Sequence, residues 1–258
     1  MSFLTLGCGK GTKDSASPVA ANAVTVAAAA DLQFALPEIL ALFHQEHPEF
    51  QVRVTYGSSG NMRAQIAQRA PFDLFLSADI EFPKRLIESG HGVADSLFPY
   101  AVGRLVLYVL NDSPLDPERT MEQTLLDPRA RRIAIANPRH APYGQAAVAA
   151  LQTDDLYEQI ADRLVLGENI AQTAQFVQSG AADIGIIALA LALAPRMSEA
   201  GRFWEIPLER FPEMVQGGVI VRHAKNPEGA EALRAFLLSA EGQRVLQDFG
   251  FLMPEALP

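Results

Sequence analysis

The stretch Val52-Arg53-Val54-Thr55-Tyr56-Gly57-Ser58-Ser59-Gly60-Asn61-Met62-Arg63-Ala64-Gln65-Ile66 decides how the chain is organised. Val52, Val54 and Tyr56 alternate with Arg53 and Thr55, the period of a β-strand. Gly57 breaks that run, and Met62 and Ile66 then stand four apart, the spacing of a helix face. Residues 57–60 are therefore a short turn from a strand into a helix. The first turn of a helix leaves backbone N–H groups unpaired and carries about +0.5 of an elementary charge. Two glycines let a ligand approach the backbone, and two hydroxyls add donors. Such a turn cradles a small anion without a cationic side chain. The plainer alternative is that Ser58 or Ser59 caps the helix.

Outward from this turn the pattern repeats. Residues 24–28 read as a strand, followed by Ala29-Ala30-Asp31. Leu32, Leu36, Ile39 and Phe43 then recur at helical spacing, with Asp31 at the N-cap position. Pro37 kinks this helix or marks its true start near Leu36. Residues 73–76 form a short strand leading to Asp79, a second N-cap, and to a helix stopped by Gly90. Three strand–helix units in succession predict a parallel sheet with helices on its faces. Residues 97–110 are long, β-branched and aromatic, with Gly103 inside, as expected of a strand that bends or crosses between lobes. The alternation then restarts: strand 133–136, the loop Asn137-Pro138-Arg139-His140-Ala141-Pro142-Tyr143-Gly144, a helix from Gln145, strand 164–166, a turn at 167–169, a helix from Ile170 and a buried strand at 183–188. Residues 215–221 read as the return crossing, and helices at 226–239 and 241–249 end the fold. Trp204 is expected in a core or on a lobe-edge strand.

The fold class is thus α/β, with two lobes, each a mostly parallel sheet flanked by helices, joined by two crossings. Residues 24–101 with 219–258 are assigned to lobe one and 102–218 to lobe two.

A formal net charge of −9 argues against nucleic acid as a partner, and any bound anion must be held by local dipoles against the overall field. The single cysteine, Cys8, excludes an internal disulfide and a four-cysteine metal site. It ends the apolar run Met1-Ser2-Phe3-Leu4-Thr5-Leu6-Gly7-Cys8, which resembles the tail of a bacterial lipoprotein signal but is short and lacks a basic start. Either the true start codon lies upstream and Cys8 is lipidated, or Cys8 is an ordinary thiol. Residues 1–23 are read as a signal remnant and lipoprotein-like tether, rich in Gly, Ser, Ala and Lys. No later stretch is long and apolar enough to span a membrane.

Each lobe contains two strand-to-helix turns: 29–31 and 57–60 in the first, 137–144 and 167–170 in the second. Ligands of open parallel sheets sit beyond the carboxyl ends of the strands, so facing lobes would aim four helix starts at one point. None of the four turns contains a lysine, and Arg139 and His140 are their only basic residues. N–H and hydroxyl donors without a countercharge suit a compact oxyanion, since charge-assisted hydrogen bonds are about twice as strong as neutral ones.

The stretches Val24–Leu32, Tyr56–Gly60, Ala70-Pro71-Phe72-Asp73-Leu74-Phe75-Leu76-Ser77-Ala78-Asp79, Asn137–Gly144, Gly167–Ile170 and Asp183–Ile186 resemble the periplasmic molybdate-binding proteins of bacterial molybdate ABC importers. These belong to the type-2 periplasmic binding proteins. The resemblance runs from about Val24 to Phe251 and implies a non-enzymatic, monomeric, periplasmic receptor without a cofactor. It would close around molybdate or tungstate and hand the ion to a permease in the inner membrane. Molybdenum would enter only as its oxyanion. Carried over by position, the ligand residues are Ser59 with Ser58 beside it, Tyr143, Ile170 through its backbone N–H, and the first-turn pair Ala30 and Asp31. That first turn departs from the family, where Ser, Thr or Asn is usual; Ala30 has no donor side chain and ionised Asp31 only accepts. Asp31 is expected to turn away and cap its own helix; the sharper alternative is that it stays protonated or meets a protonated oxyanion. A further family tyrosine is replaced by Ala188.

Two other readings stay open. The same fold could take sulfate, phosphate or an organic anion. A hydrolase could use Ser58 or Ser59 as nucleophile, although no partner base suggests itself; Asn61 breaks the nucleophile-elbow pattern and no lysine makes a P-loop. Of the five histidines only His140 lies in a ligand loop, where a surface role is expected. His44 and His47 end a helix and do not suggest a metal pair.

Overall fold

The computed structural model describes residues 22–117 and 119–254; Cys8 and the proposed tether lie outside them. Two five-stranded mixed sheets share one plan. In the first, β1 (Ala23–Ala29) pairs in parallel with β2 (Gln51–Gly57) and β3 (Leu74–Ser77), while β10 (Met214–Ile220) runs antiparallel between β3 and β4 (Phe98–Gly103). In the second, β6 (Ile133–Ala136) pairs in parallel with β7 (Leu164–Gly167) and β8 (Ile184–Ala188), and β5 (Leu105–Leu110) runs antiparallel between β8 and β9 (Gly201–Glu205).

The sequence pattern explains the strand positions. β2 alternates because it is an edge strand, with Arg53 and Thr55 on its exposed side. β1 is central and covered on both faces, so it is apolar throughout except at Thr25. Its side chains still divide by face. Val24, Val26 and Ala28 pack with helix α1 (Ala35–Glu46) and the C-terminal helices, whereas Ala27 packs with Met62, Ile66, Phe75 and Phe82. The second sheet has its own core, including Ile133, Ile135, Ile184 and Ile186. Each such fully buried aliphatic side chain contributes roughly 1.5–3 kcal/mol.

Helix α2 (Ser59–Ala67) follows β2, and α3 (Glu81–Glu88) follows β3. In the second half, α4 (Pro142–Thr153) follows β6 and α5 (Ile170–Gln178) follows β7. Helices α6 (Pro227–Leu238) and α7 (Ala240–Asp248) return to the first sheet. Asn226 caps α6 by accepting from the Gly229 N–H at 2.9 Å.

Residues 97–110 are not one bending strand. The run divides at Arg104, with β4 in the first sheet and β5 in the second. The crossing between lobes that Gly103 suggested is therefore made here, by a break between two strands rather than by a bend within one. The return is made by residues 206–213, and β10 lies wholly in the first sheet. Trp204 sits on β9, the edge of the second sheet. Helix α4 starts at Pro142 rather than at Gln145, because a proline at the first helical position loses no hydrogen bond. Pro37 likewise sits in the first turn of α1, which stays unbroken.

Asp73 fixes the end of the first sheet opposite the ligand turns. Its carboxylate accepts from the Thr25 N–H and hydroxyl, both at 2.7 Å, and from the N–H groups of Lys225 and Asn226 at 2.6 and 3.0 Å. Burial alone would raise its pKa, but these donors outweigh burial and hold it below the ordinary value.

Candidate functional site

Four strand-to-helix turns meet at one small cavity of about 10 Å³, lined by residues 29–31, 57–59, 78, 141–143 and 169–170. All six residues singled out in the sequence (Ala30, Asp31, Ser58, Ser59, Tyr143 and Ile170) are among them. Two turns come from the first sheet and two from the second. Ala30 opens the 3-10 turn Ala30–Gln33, Ser59 opens α2, Pro142 opens α4 and Ile170 opens α5. The orphan N–H groups of these starts supply positive potential with no cation. Neither lysine nor arginine lines the cavity.

The serines do not cap α2. Ser58 holds the N-cap position, yet its hydroxyl pairs with the His140 ring Nδ1 at 2.9 Å. The Ser59 hydroxyl accepts from the Ala78 N–H at 3.0 Å, which leaves its own proton for a ligand. Ser58 and Ser59 are both buried. Ile170 is held by its neighbour Asn169, whose side chain caps α5 by accepting from the Gln172 N–H at 3.0 Å.

Across the rim the two halves are tied directly. The Gly60 N–H donates to the His140 carbonyl at 2.9 Å, and Asn61 Nδ2 donates to Glu168 at 2.5 Å. A Cβ on Gly60 would stand 2.6 Å from that His140 carbonyl oxygen, so only glycine permits the approach. His140 is therefore a bridging residue rather than a surface one; its Nε2 also lies 3.6 Å from Glu168. Ser58, His140 and Glu168 thus form a chain, and the serine does have a base beside it, contrary to the expectation from sequence.

Asp31 departs most from expectation. It does not cap its own turn, whose start carries no side-chain cap bond. Instead Asp31 is fully buried, and its Oδ2 accepts from the Tyr143 hydroxyl at 2.9 Å and from Gln216 Nε2 at 2.6 Å. Gln216 Nε2 also donates to the Tyr143 hydroxyl at 3.1 Å, closing a triangle between the sheets. Asp31 Oδ1 has no hydrogen-bond partner. Burial pushes the Asp31 carboxyl up to about 6, against the lowering pull of Gln216, Tyr143 and the N–H groups of Asp31 and Leu32. Burial, and then the nearby Asp31 charge, push the Tyr143 phenol well above its ordinary value, so it acts as a donor.

Sequence reasoning missed Gln216. It sits at an irregularity of β10, where the register against β4 shifts between Gln216 and Gly217. A bulge re-aims the side chain that precedes it. The available signal was a lone amide, Gln216, in an otherwise apolar buried strand. Gly103 belongs to the same arrangement: a Cβ there would meet the Tyr143 hydroxyl at 2.6 Å and Gln216 Nε2 at 3.0 Å. Larger concavities exist, notably one of about 540 Å³ beside Arg129, Arg131 and Asp183, but no helix start converges on it.

Two sheets of one plan, facing each other across a cleft with helix starts turned inward, define a class of ligand receptor. The chain belongs to the bacterial extracellular solute-binding proteins, the family matched over residues 24–252. It is 34% identical to the molybdate-binding protein ModA of Rhodobacter capsulatus over 92% of this chain and 91% of that protein. It is 27% identical to a putative ABC transporter substrate-binding lipoprotein, YvgL, of Bacillus subtilis, over 88% of this chain and 85% of that one. Among solved structures it resembles the periplasmic molybdate-binding protein of Azotobacter vinelandii, with a TM-score of 0.84, 28% identity, and coverage of 90% of this chain and 100% of the other.

Proposed function

We propose that this protein is the solute receptor of an ABC importer and binds molybdate, or the near-isosteric tungstate, between its two halves. One observation carries the reading: four helix starts, with Ser58, Ser59 and Tyr143 among them, line a single small cavity that no lysine or arginine of the described residues lines. Ser59, Tyr143, the N–H groups at Ala30 and Ile170, and Ser58 are the ligand set, with Asp31 beside them. Molybdenum enters as an oxyanion whose oxo groups accept these hydrogen bonds, so no side chain coordinates the metal. Each bond to a charged partner is worth about 1.5–3 kcal/mol, and several together offset desolvation of the ion. The cavity is about the size of one water, so the halves must part to admit the ion and then close on it. The passages at Arg104 and at 206–213 are where such a hinge motion would be absorbed. A periplasmic, monomeric receptor that delivers to an inner-membrane permease, tethered through a lipidated Cys8, fits this role, as does the absence of a cofactor requirement. Titration calorimetry with molybdate tests the reading; heat with a stoichiometry of one supports it, and no binding overturns it.

One observation favours a second reading. The Ser58–His140–Glu168 chain has the residue types of a hydrolytic triad. Its geometry is poor for that purpose. Ser58 meets Nδ1, the glutamate stands 3.6 Å from Nε2 with its side chain 57% exposed, and the serine faces a closed cavity. Steady turnover of small ester substrates, lost in Ser58→Ala, would favour a hydrolase; tight oxyanion binding without turnover would exclude it.

A further inference from the structure

A buried carboxyl at the centre of an anion site needs an explanation. An ionised Asp31 and a dianion in contact would repel strongly in a medium that screens poorly. Among the described residues no positive side chain relieves this. The elements packed against the turn are β1, β2, α1, α5 and the short helix Leu189–Ala192. β1, α5 and Leu189–Ala192 carry no charged residue; Arg53 on β2 and Glu38, His44 and Glu46 on α1 are all exposed. The titratable groups near Asp31 are the phenols of Tyr143 and Tyr100, with Tyr56 beside Ala30, and burial raises all three. At the rim, His140 is engaged with Ser58 and Glu168.

The hydrogen bonds around Asp31 are asymmetric. Oδ2 takes both donors, Tyr143 and Gln216, while Oδ1 takes none although the residue is fully buried and lines the cavity. A neutral carboxylic acid fits this pattern: one oxygen accepts twice as a carbonyl, and the other carries a proton to donate. A buried oxygen without a partner is costly unless a ligand completes it.

We propose that Asp31 holds the oxyanion as the neutral acid, donating a hydrogen bond from Oδ1, so that each ion captured brings one proton into the site. Gln216 and Tyr143 are the positioning residues, because they occupy Oδ2 and leave Oδ1 for the ion. The inference rests on the oxyanion reading of the site. Burial already lifts the carboxyl to about 6 without an anion, and a dianion in contact raises it further. At neutral pH the free protein is therefore mainly ionised at Asp31 and the complex is protonated. The linkage has one sign: only the protonated form closes on the ion, so affinity falls about tenfold for each pH unit above about 6 and is flat below it.

The test is molybdate calorimetry at pH 8 in buffers of different ionisation heat, which counts protons taken up, with dissociation constants measured from pH 6 to 9. The expected result is an uptake close to one proton per molybdate and an affinity about a hundredfold weaker at pH 8 than at pH 6. Asp31→Asn, which offers an N–H donor at every pH, should bind with uptake near zero and a flat profile. Difference infrared spectroscopy of the native protein gives a second readout that needs no variant. Addition of molybdate at pH 8 should produce the carbonyl band of a neutral carboxylic acid. Uptake near zero in the native protein, uptake retained in Asp31→Asn, or no such band overturns the proposal. Binding that is absent at every pH would instead sink the oxyanion reading beneath it.

Discussion

The Tyr143 hydroxyl donates to Asp31 Oδ2 at 2.9 Å, joining the second sheet's α4 to the first sheet's opening turn. Two residues 112 apart in sequence thus meet at the ligand cavity. The bond ties closure of the halves to completion of the site, because separating them breaks it.

Tyr143→Phe removes that donor, and with it one of the two bonds that hold Asp31 Oδ2 and aim Oδ1 at the ion. A lost hydrogen bond to a charged group is worth about 1.5–3 kcal/mol, so molybdate affinity should fall roughly ten- to hundredfold. Calorimetry on the variant checks this; an unchanged affinity would mean that Tyr143 does not position Asp31 for the ion.

Asp31→Asn should also change the stability of the ligand-free protein in a pH-dependent way. The folded carboxyl titrates at about 6 against 3.8 unfolded, so ionising it costs folding energy progressively as pH rises between those values. Stability from this group is complete below 3.8 and is lost by the time pH passes about 6. The variant escapes that cost, so its advantage over the native protein should grow by about 2 kcal/mol between pH 4 and 7.5. Denaturant melts at the two pH values read the difference directly. A constant gap would mean that Asp31 is not buried as described.

Asp73→Asn acts with the opposite sign. The folded pKa of Asp73 is depressed, so its contribution is complete above 3.8 and disappears as pH falls through the lower folded value. Asn offers only one acceptor oxygen in place of a carboxylate that serves Thr25, Lys225 and Asn226. The variant should lose roughly 1–3 kcal/mol at pH 7, and the loss should shrink in acid. Thermal melts at pH 7 and pH 3 follow it.

Gly60→Ala tests the contact across the rim. The added methyl would press on the His140 carbonyl oxygen across the rim, a contact absent when the halves are apart. Ala is otherwise favoured over Gly within a helix by roughly 0.5–1 kcal/mol. Molybdate should therefore dissociate at least several-fold faster than from the native protein. Unchanged dissociation would contradict the clasp.

Much of this was legible in the chain because period and burial are local signals. The alternation of Val52, Val54 and Tyr56 marked a strand, as did residues 24–28. Gly57 and Gly60 marked the turn between strand and helix. What was not legible depended on distant partners. His140 meets Ser58 over a separation of 82 residues, and Glu168 meets Asn61 over 107. Asp31 has the side chain of an N-cap, and local chemistry favours that role; a buried triangle with Tyr143 and Gln216 overrides it. Gln216 was hidden because a strand reads by period, and a bulge breaks the period at the residue it exposes to the site. The crossing within 97–110 was legible from Gly103, but its break into two strands at Arg104 was not, since β4 and β5 are both buried and apolar.

The most direct measurement is a calorimetric competition among molybdate, tungstate, sulfate and phosphate on the native protein at pH 7. A site built from amide and hydroxyl donors around a fixed small volume should bind molybdate and tungstate with stoichiometry one and comparable affinity, at least a hundredfold above sulfate and phosphate. Equal affinity for all four ions, or no heat with molybdate, would contradict the account.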